Sequence, residues 1–243
     1  MSKEAFLLGY PVEFKRLCLV YPPKLKDVVT NPAYHLYNRV LTYSQEEVED
    51  EFVKANLDLK NLLTPFEYLL NGAYNNSKMK EIIEQAFFFY IHEPVTFLYD
   101  TKQILIGDIK EVKSIKELRQ MGEEDFFDFQ NLIRQASGQD AVEPPNPHEN
   151  PRIKAIKAKA RYRDKIKAKS KSNLKLETIL SSIWCMNIGI NPLNSGELSY
   201  AAIPVIMDRY QEKEKYDLDI RSLLAGADSK KVKPKYWIRN LDN

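Results

Sequence analysis

The clearest apolar stripe in the chain lies at residues 77–92. Met79, Ile82, Ile83, Ala86, Phe87, Tyr90 and Ile91 recur at i, i+3, i+4, i+7, i+8, i+11 and i+12. That spacing puts them on one face of a helix. Pro94 stops the pattern, because proline has no N–H to donate and its ring clashes with the preceding turn. Val95–Tyr99 and Gln103–Gly107 follow, two β-branched or aromatic runs around the polar Asp100-Thr101-Lys102, and they predict a β-hairpin. A lone hairpin is marginal in water, so it is expected to lie on the helices. Ser114–Arg119 and Glu123–Gln135 read as further helices, the second with Phe126, Phe127, Phe129, Leu132 and Ile133 on a broad apolar face.

The first 45 residues are rich in proline, tyrosine and apolar side chains, punctuated by Tyr21-Pro22-Pro23 and Asn31-Pro32. Short helices joined by turns are predicted there. Ser44 stands three residues before Glu47, a capping-box spacing, so a helix is predicted to start in the acidic cluster Glu46, Glu47, Glu49, Asp50, Glu51. Late in the chain Leu176, Ile179, Leu180, Ile183, Trp184 and Ile188 form a second stripe, with Gly189 expected to close it. Ser195 is expected to cap a helix running to about Lys215, and Pro204 to kink it or mark its true start. A last short helix near Asp217–Ala225 then leads to Gly226 and a polar tail carrying Trp237.

Between these patterns the composition changes. Pro144, Pro145, Pro147 and Pro151 fall close together, which reads as a stiff linker. The predicted fold class is mainly α with a small β-hairpin (α+β), as two helical units. The N-terminal unit spans 1–138, the Pro-rich linker 139–151, and the basic helix with the C-terminal helical unit 152–243.

At 243 residues, with 44% hydrophobic and 29% charged side chains, the chain can build a core without staples. Cys18 and Cys185 are too few and too far apart for a disulfide framework and suit a reducing compartment. No run approaches the roughly 18–20 apolar residues that span a bilayer. The apolar run near the start is too short for a signal peptide, so a soluble protein of the cytoplasm is expected, with no membrane partner. Only 8 glycines are present, and neither a dinucleotide fingerprint nor a P-loop occurs.

The search for catalytic chemistry leads to an expectation of no enzyme, with no catalytic residue, no metal ligand and no cofactor. His35, His92 and His148 are scattered, and none has a partner at metal-ligand spacing. His92 beside Glu93 reads as a helix-end or surface residue. Glu212, Glu214, Asp217 and Asp219 lack the glycine and terminal glutamate of a calcium loop and read as a solvated helix end. Cys185 after Trp184 reads as a small buried hydrophobe.

Binding features are more informative. A basic run of Arg152, Lys154, Lys157, Lys159, Arg161, Arg163, Lys165, Lys167, Lys169, Lys171 and Lys175 is opposed by Asp164 alone. Three readings stay open: a solvated linker helix, contact with a protein partner, and nucleic-acid contact. With net charge only +2, a nucleic-acid reading rests on this local patch. The period-2 alternation from Arg161 to Lys169 rings the helix with charge, which weakens a groove-reading role. Phe88 points away from the stripe of Phe87 and Ile91, so either a second layer of the domain or a partner covers it. Trp237 either pins the tail to the core or anchors another chain. The candidate partner-binding residues are Phe88, Trp184, Tyr210, Trp237, Arg152, Lys157, Arg161 and Lys165.

Several stretches together carry a resemblance. They are Tyr200-Ala201-Ala202-Ile203 through Asp208-Arg209-Tyr210, then Tyr216 to Ala227 with Leu223-Leu224-Ala225-Gly226-Ala227, and Trp237-Ile238-Arg239-Asn240-Leu241. Thr64-Pro65-Phe66-Glu67-Tyr68-Leu69-Leu70, Ala86-Phe87-Phe88-Phe89, the Val95–Gly107 hairpin and Asn146-Pro147 fit the same pattern. From about residue 60 onward the chain resembles tail-module proteins of long-tailed bacteriophages of Gram-positive bacteria, similar to tail assembly chaperones. The resemblance implies a host-cytoplasmic protein that coats the helical tape-measure protein, helps the tail tube protein polymerise, and is absent from the finished virion. Pro204 departs from the uninterrupted helix the resemblance implies. Partners on this reading are tape-measure and tail tube proteins, with self-association and a host sensor protein as open alternatives and nucleic acid not expected. The competing functions are a structural or connector component of the virion and a nucleic-acid-binding protein acting through 152–171.

Overall fold

The computed structural model describes residues 2–55, 58, 61–111, 114, 117–142 and 176–238. It is mainly α-helical with two small antiparallel sheets. Two compact units divide the chain, one of residues 1–141 with 194–243, the other of residues 142–193.

In the first unit the order is α1 (Ser2–Leu7), β1 (Val12–Phe14), β2 (Cys18–Val20), α2 (Leu25–Thr30), α3 (Tyr34–Leu41), α4 (Gln45–Lys54), α5 (Pro65–Asn75) and α6 (Ser77–Ile91). Strands β3 (Val95–Leu98), β4 (Gln103–Ile106) and β5 (Arg119–Met121) and helix α7 (Glu123–Ala136) follow. The second unit contributes α8 (Leu176–Cys185), and α9 (Ala202–Leu224) returns to the first.

Local chemistry sets the helix ends. The Ser44 hydroxyl accepts from the Glu47 amide at 3.2 Å while Glu47 takes the Ser44 amide at 2.9 Å, the capping box expected from sequence. Thr64 and Glu67 repeat the device at α5, with Pro65 in the first turn where its missing N–H costs nothing. Asn76 caps α6, and His92 closes it in the left-handed conformation at φ 57°.

The core sits where α3, α5, α6 and α7 meet. Ile83, Ala86, Phe87, Tyr90 and Ile91 of α6 are buried, with Met79 and Ile82 packed at the margin. Phe87 stacks on Phe129 at 5.4 Å, and Phe66 meets Phe126 at 5.1 Å. The hairpin forms where it was predicted, and its register places Val95 opposite Ile106 and Leu98 opposite Gln103. Ile104, Leu105 and Ile106 are all fully buried, as suits a central strand covered on both faces.

The structure corrects the sequence reading in several places. Arg119–Met121 is not the end of a helix but the third strand, antiparallel to β4 with Met121 opposite Ile104. A bare edge on β4 is a stronger constraint than weak helical periodicity. Val12–Phe14 and Cys18–Val20 form a second hairpin within a stretch read as helices and turns. Its turn is carried by Lys15 and Arg16 at positive φ, a conformation their residue types do not announce.

The C-terminal helix does not start at Ser195 or stop near Lys215. Ser195–Glu197 is a single 3-10 turn, and α9 runs unbroken from Ala202 to Leu224. Pro204 falls in its first turn, where no intrahelical N–H bond is lost. Helix α8 ends at Cys185, before Gly189.

Residues 194–243 were expected in a unit with 152–193, yet they group with residues 1–141. The Leu25 amide donates to the Leu198 carbonyl at 2.9 Å, and the Tyr200 amide to the Pro23 carbonyl at 2.8 Å. Lys24 and Lys26 both reach Glu197, and Tyr200 packs edge-on against Tyr34 at 5.4 Å. Among the described residues no helix is long and apolar enough to cross a membrane. The 139–151 linker lies outside the described residues from 143 onward.

Candidate functional site

Helices α3 and α6 pack side by side, and the chain turns back from α6 through Pro94 into β3. Between them lies an open groove of about 530 Å³. Its walls come from Tyr37 of α3, Glu84, Gln85, Phe88 and Phe89 of α6, and Pro94 with Val95 at the start of β3, and Asn31 also lines it. The α6 stripe dictates this arrangement. With Phe87 turned into the core at 0% exposure, Phe88 stands about 100° round the helix and is 55% exposed. Phe89 is half-buried, 5.9 Å from Tyr37 between ring centroids.

Polar groups on the groove are few and fixed. The Tyr37 hydroxyl donates to Gln85 Oε1 at 2.7 Å, and Gln85 Nε2 donates to Glu81 Oε1 at 3.2 Å. Glu84 is the one charged residue in the described lining. Lys80 lies 3.8 Å from it, and both side chains are partly exposed. An exposed pair of this length binds weakly. The set offers an apolar floor, an oriented phenol–amide pair and one carboxylate, which is equipment for contact and orientation.

A buried polar cluster ties α3 to α6. Asn38 Nδ2 donates to the Tyr90 hydroxyl at 3.0 Å and to Ser137 Oγ at 2.7 Å. Tyr90 and Ser137 share a 2.9 Å hydrogen bond, and Gln139 Nε2 donates to Asn38 Oδ1 at 3.0 Å. Burial pushes the Tyr90 and Tyr34 phenols up, so both stay protonated and available as donors. From α7, Gln130 and Arg134 donate to the carbonyls of Tyr43 and Thr42 just past the end of α3. Those carbonyls would otherwise be left without helical partners.

The candidate residues from sequence meet different fates. Phe88 lines the groove and is not covered by a second layer of its unit. Tyr210 and Trp237 do not line it. Tyr210 is half-buried on α9, and Trp237 packs against the same helix, its carbonyl accepting from Arg209 Nη1 at 2.7 Å. Tyr236 meets Tyr216 edge-on at 5.7 Å, so the tail doubles back along α9 and not onto the core. Trp184 sits on α8 in the other unit at 36% exposure. Arg152, Lys157, Arg161 and Lys165 lie outside the described residues, as does the basic run as a whole. Sequence reasoning missed Tyr37, Gln85, Phe89 and Val95 as groove walls. Pro94 was read only as a stop signal, although its position also predicts where a chain reversal leaves a wall.

Other reactive groups among the described residues do not line the groove. His92 stacks on Tyr21 at 4.1 Å as the α6 cap. Glu93 and Arg119 form a two-point ion pair joining the α6 end to β5. Burial pushes the Cys18 thiol up to about 12, with the Glu93 carboxylate adding to the shift, so it stays a thiol. Cys185, read from sequence as buried, is exposed. Helix α8 is one-sided, with Ile183 as its buried residue, and Cys185 falls off that side. Asp217 pairs with Lys213 at 2.9 Å along α9. Among the described residues no group of three or more His, Cys, Asp or Glu side chains is placed to hold a metal ion.

Compared with protein-family models, curated proteins and solved structures, the chain matches none.

Proposed function

We propose that this protein is a bacteriophage tail assembly chaperone that holds tape-measure or tail tube protein during virion assembly and performs no catalysis. The observation that carries the reading is the open groove with Phe88 on its wall. A 15-residue helix that buries Phe87 completely and leaves Phe88 in solvent keeps a large apolar contact for something outside its own unit. A tape-measure protein is a long helix with an apolar stripe, and helices of that kind dock in apolar grooves. The sequence resemblance to tail-module proteins supports the same context.

The test is a tagged pull-down from phage-infected cells with mass spectrometry, repeated on purified virions. The expected result is tape-measure or tube protein co-purifying from cells while the chain is missing from virions. Abundance in virions would make it a structural component instead. Recovery of nucleic acid in place of tail proteins would transfer the function to residues 152–171.

A further inference from the structure

We infer that residues 228–238 are a releasable strap that closes on α9, with Arg209 and the Trp237 carbonyl as its clasp, and that the outer turns of α9 loosen when the strap opens. Two successive bends turn the chain back on itself. Gly226 stands at φ 93°, and the Gly226 and Ala227 amides donate to the Leu223 and Ser222 carbonyls at 3.0 Å each, which closes the helix and reverses the chain. Asp228 makes the second bend. Its side chain accepts from the Lys230 amide at 2.9 Å, and its carbonyl accepts from the Lys231 and Val232 amides at 2.9 Å and 3.0 Å. Beyond that bend Lys231, Lys233 and Lys235 are exposed while Val232 and Pro234 are half-buried. This is the two-residue period of an extended segment lying along a surface. Its far end reaches Arg209, whose Nη1 donates to the Trp237 carbonyl at 2.7 Å, and Tyr236 meets Tyr216 edge-on at 5.7 Å. From Leu224 back to Arg209 is roughly 22 Å of helix, so the strap runs beside about four turns.

Two observations make this a device and not a fixed layer. Past Ile203 every residue of α9 is half-buried or exposed, so none of its outer turns is sealed into the core. A helix with no core behind it is marginal on its own and gains from any cover. The strap itself is lightly held, because Tyr236 is 58% exposed and Ile238 60% exposed with the clasp closed. Segments with few buried apolar contacts open locally at low cost. The open and closed states therefore lie close in free energy, and a ligand that prefers one shifts the population towards it. Opening frees two surfaces together, the covered side of α9 and the inner side of the strap. A partner for either surface competes with the closed state.

The test reads the strap and the helix separately in the full chain. The chain has two tryptophans, so Trp184→Phe leaves Trp237 as the only one, and its emission reports the strap. Amide exchange reports α9, with the buried turns of α6 as reference. Two variants open the strap by different routes. Arg209→Gln removes the guanidinium of the clasp. Gly226→Val puts a β-branched residue at positive φ, where a Cβ meets nothing within 4 Å, so it strains the reversal without touching the clasp. Circular dichroism melts check that each variant folds. Both should move the Trp237 emission to longer wavelength and speed exchange across Lys213–Leu224 about tenfold, the scale of one lost charge-assisted hydrogen bond. The α6 amides should not change. Emission that moves while α9 exchange stays constant overturns the inference, because the helix then stands without the strap. Emission unchanged in both variants also overturns it, because neither the clasp nor the reversal then holds the strap. So does exchange that rises equally in α6, because the tail is then part of the global fold and not a local switch.

Discussion

Helices α6 and α9 are built on opposite terms. The shorter, at 15 residues, buries Ile83, Ala86, Phe87, Tyr90 and Ile91, and is capped at both ends. The longer, at 23 residues, buries only Ala202 and Ile203 and has no side-chain N-cap. What holds α9 is local: strong helix formers through Gln211–Lys215, the Lys213–Asp217 pair one turn apart, and the tail with Tyr236 folded back on Tyr216. The lesson is that helix length does not measure tertiary commitment. A helix seated on a core tolerates little change, whereas one anchored at its first turn leaves its outer surface free of the fold's requirements.

The sharpest way to break this contrast is a matched pair of truncations. Phe87→Ala removes a ring stacked on Phe129 and should cost about 3–5 kcal/mol, enough to unfold a marginal domain. Leu218→Ala on α9 should stay within about 0.5 kcal/mol. Urea unfolding of both variants decides it. Equal losses would mean that α9 is seated as deeply as α6. Next in size is Asn38→Ala, which strips the hub that joins Tyr90, Ser137 and Gln139. Tyr90 and Ser137 keep the hydrogen bond between them, but each loses the buried Asn38 donor, and the loss should cost about 1–3 kcal/mol. Asn38 lies under α6 and not under α9, so exchange protection should fall across α3 and α6 first.

The same contrast explains how much of the molecule was legible in its sequence. Helix α6 was readable because one face meets one core, so periodicity and burial coincide. Strands β3 and β4 were readable because their turn and their β-branched runs are contiguous. Strand β5 was not: Arg119-Gln120-Met121 has no alternating pattern, and its conformation comes from pairing with Ile104–Ile106. The break predicted near Lys215 failed for the opposite reason. Where no core is faced, the apolar period vanishes although the helix continues. At the groove, sequence marked Phe88 because three successive phenylalanines exceed what one stripe buries. Its walls stayed hidden because Tyr37 and Val95 come from separate elements, and only tertiary packing brings them to α6.

A smaller effect should appear at the foot of α9. Gly138 sits at φ +73°, and a Cβ there would stand 3.0 Å from Pro204 Cγ and 3.2 Å from Ala201 Cα. Gly138→Ala therefore combines left-handed strain with a tight contact against Ala201 and Pro204, at a cost of about 1–2 kcal/mol. The expected outcome is faster amide exchange in the first turns of α9 with α6 unchanged. Uniform loss of protection in both helices would show that the foot and the core unfold as one.

The smallest effect concerns the ion pairs that hold the segment leading into α9. Glu197 accepts from Lys24 Nζ at 2.6 Å and Lys26 Nζ at 2.5 Å, and these hydrogen bonds hold its carboxyl down from the ordinary 4.5 to about 2. A carboxyl lowered on folding stabilises the folded state fully above its unfolded value, and the contribution fades as pH falls towards the folded value. The window is thus between about pH 4.5 and pH 2. All three side chains are well exposed, so salt screens the pairs and their effect is confined to local opening. The reporter is the Tyr200 amide, which donates to Pro23 beside the pairs. Its protection should decline across that window in the wild type and lose this pH dependence in Glu197→Gln, while the buried amides of α6 serve as the reference. If both proteins follow one pH curve at Tyr200, the backbone bonds and the Tyr34–Tyr200 contact hold the foot of α9 without help from charge.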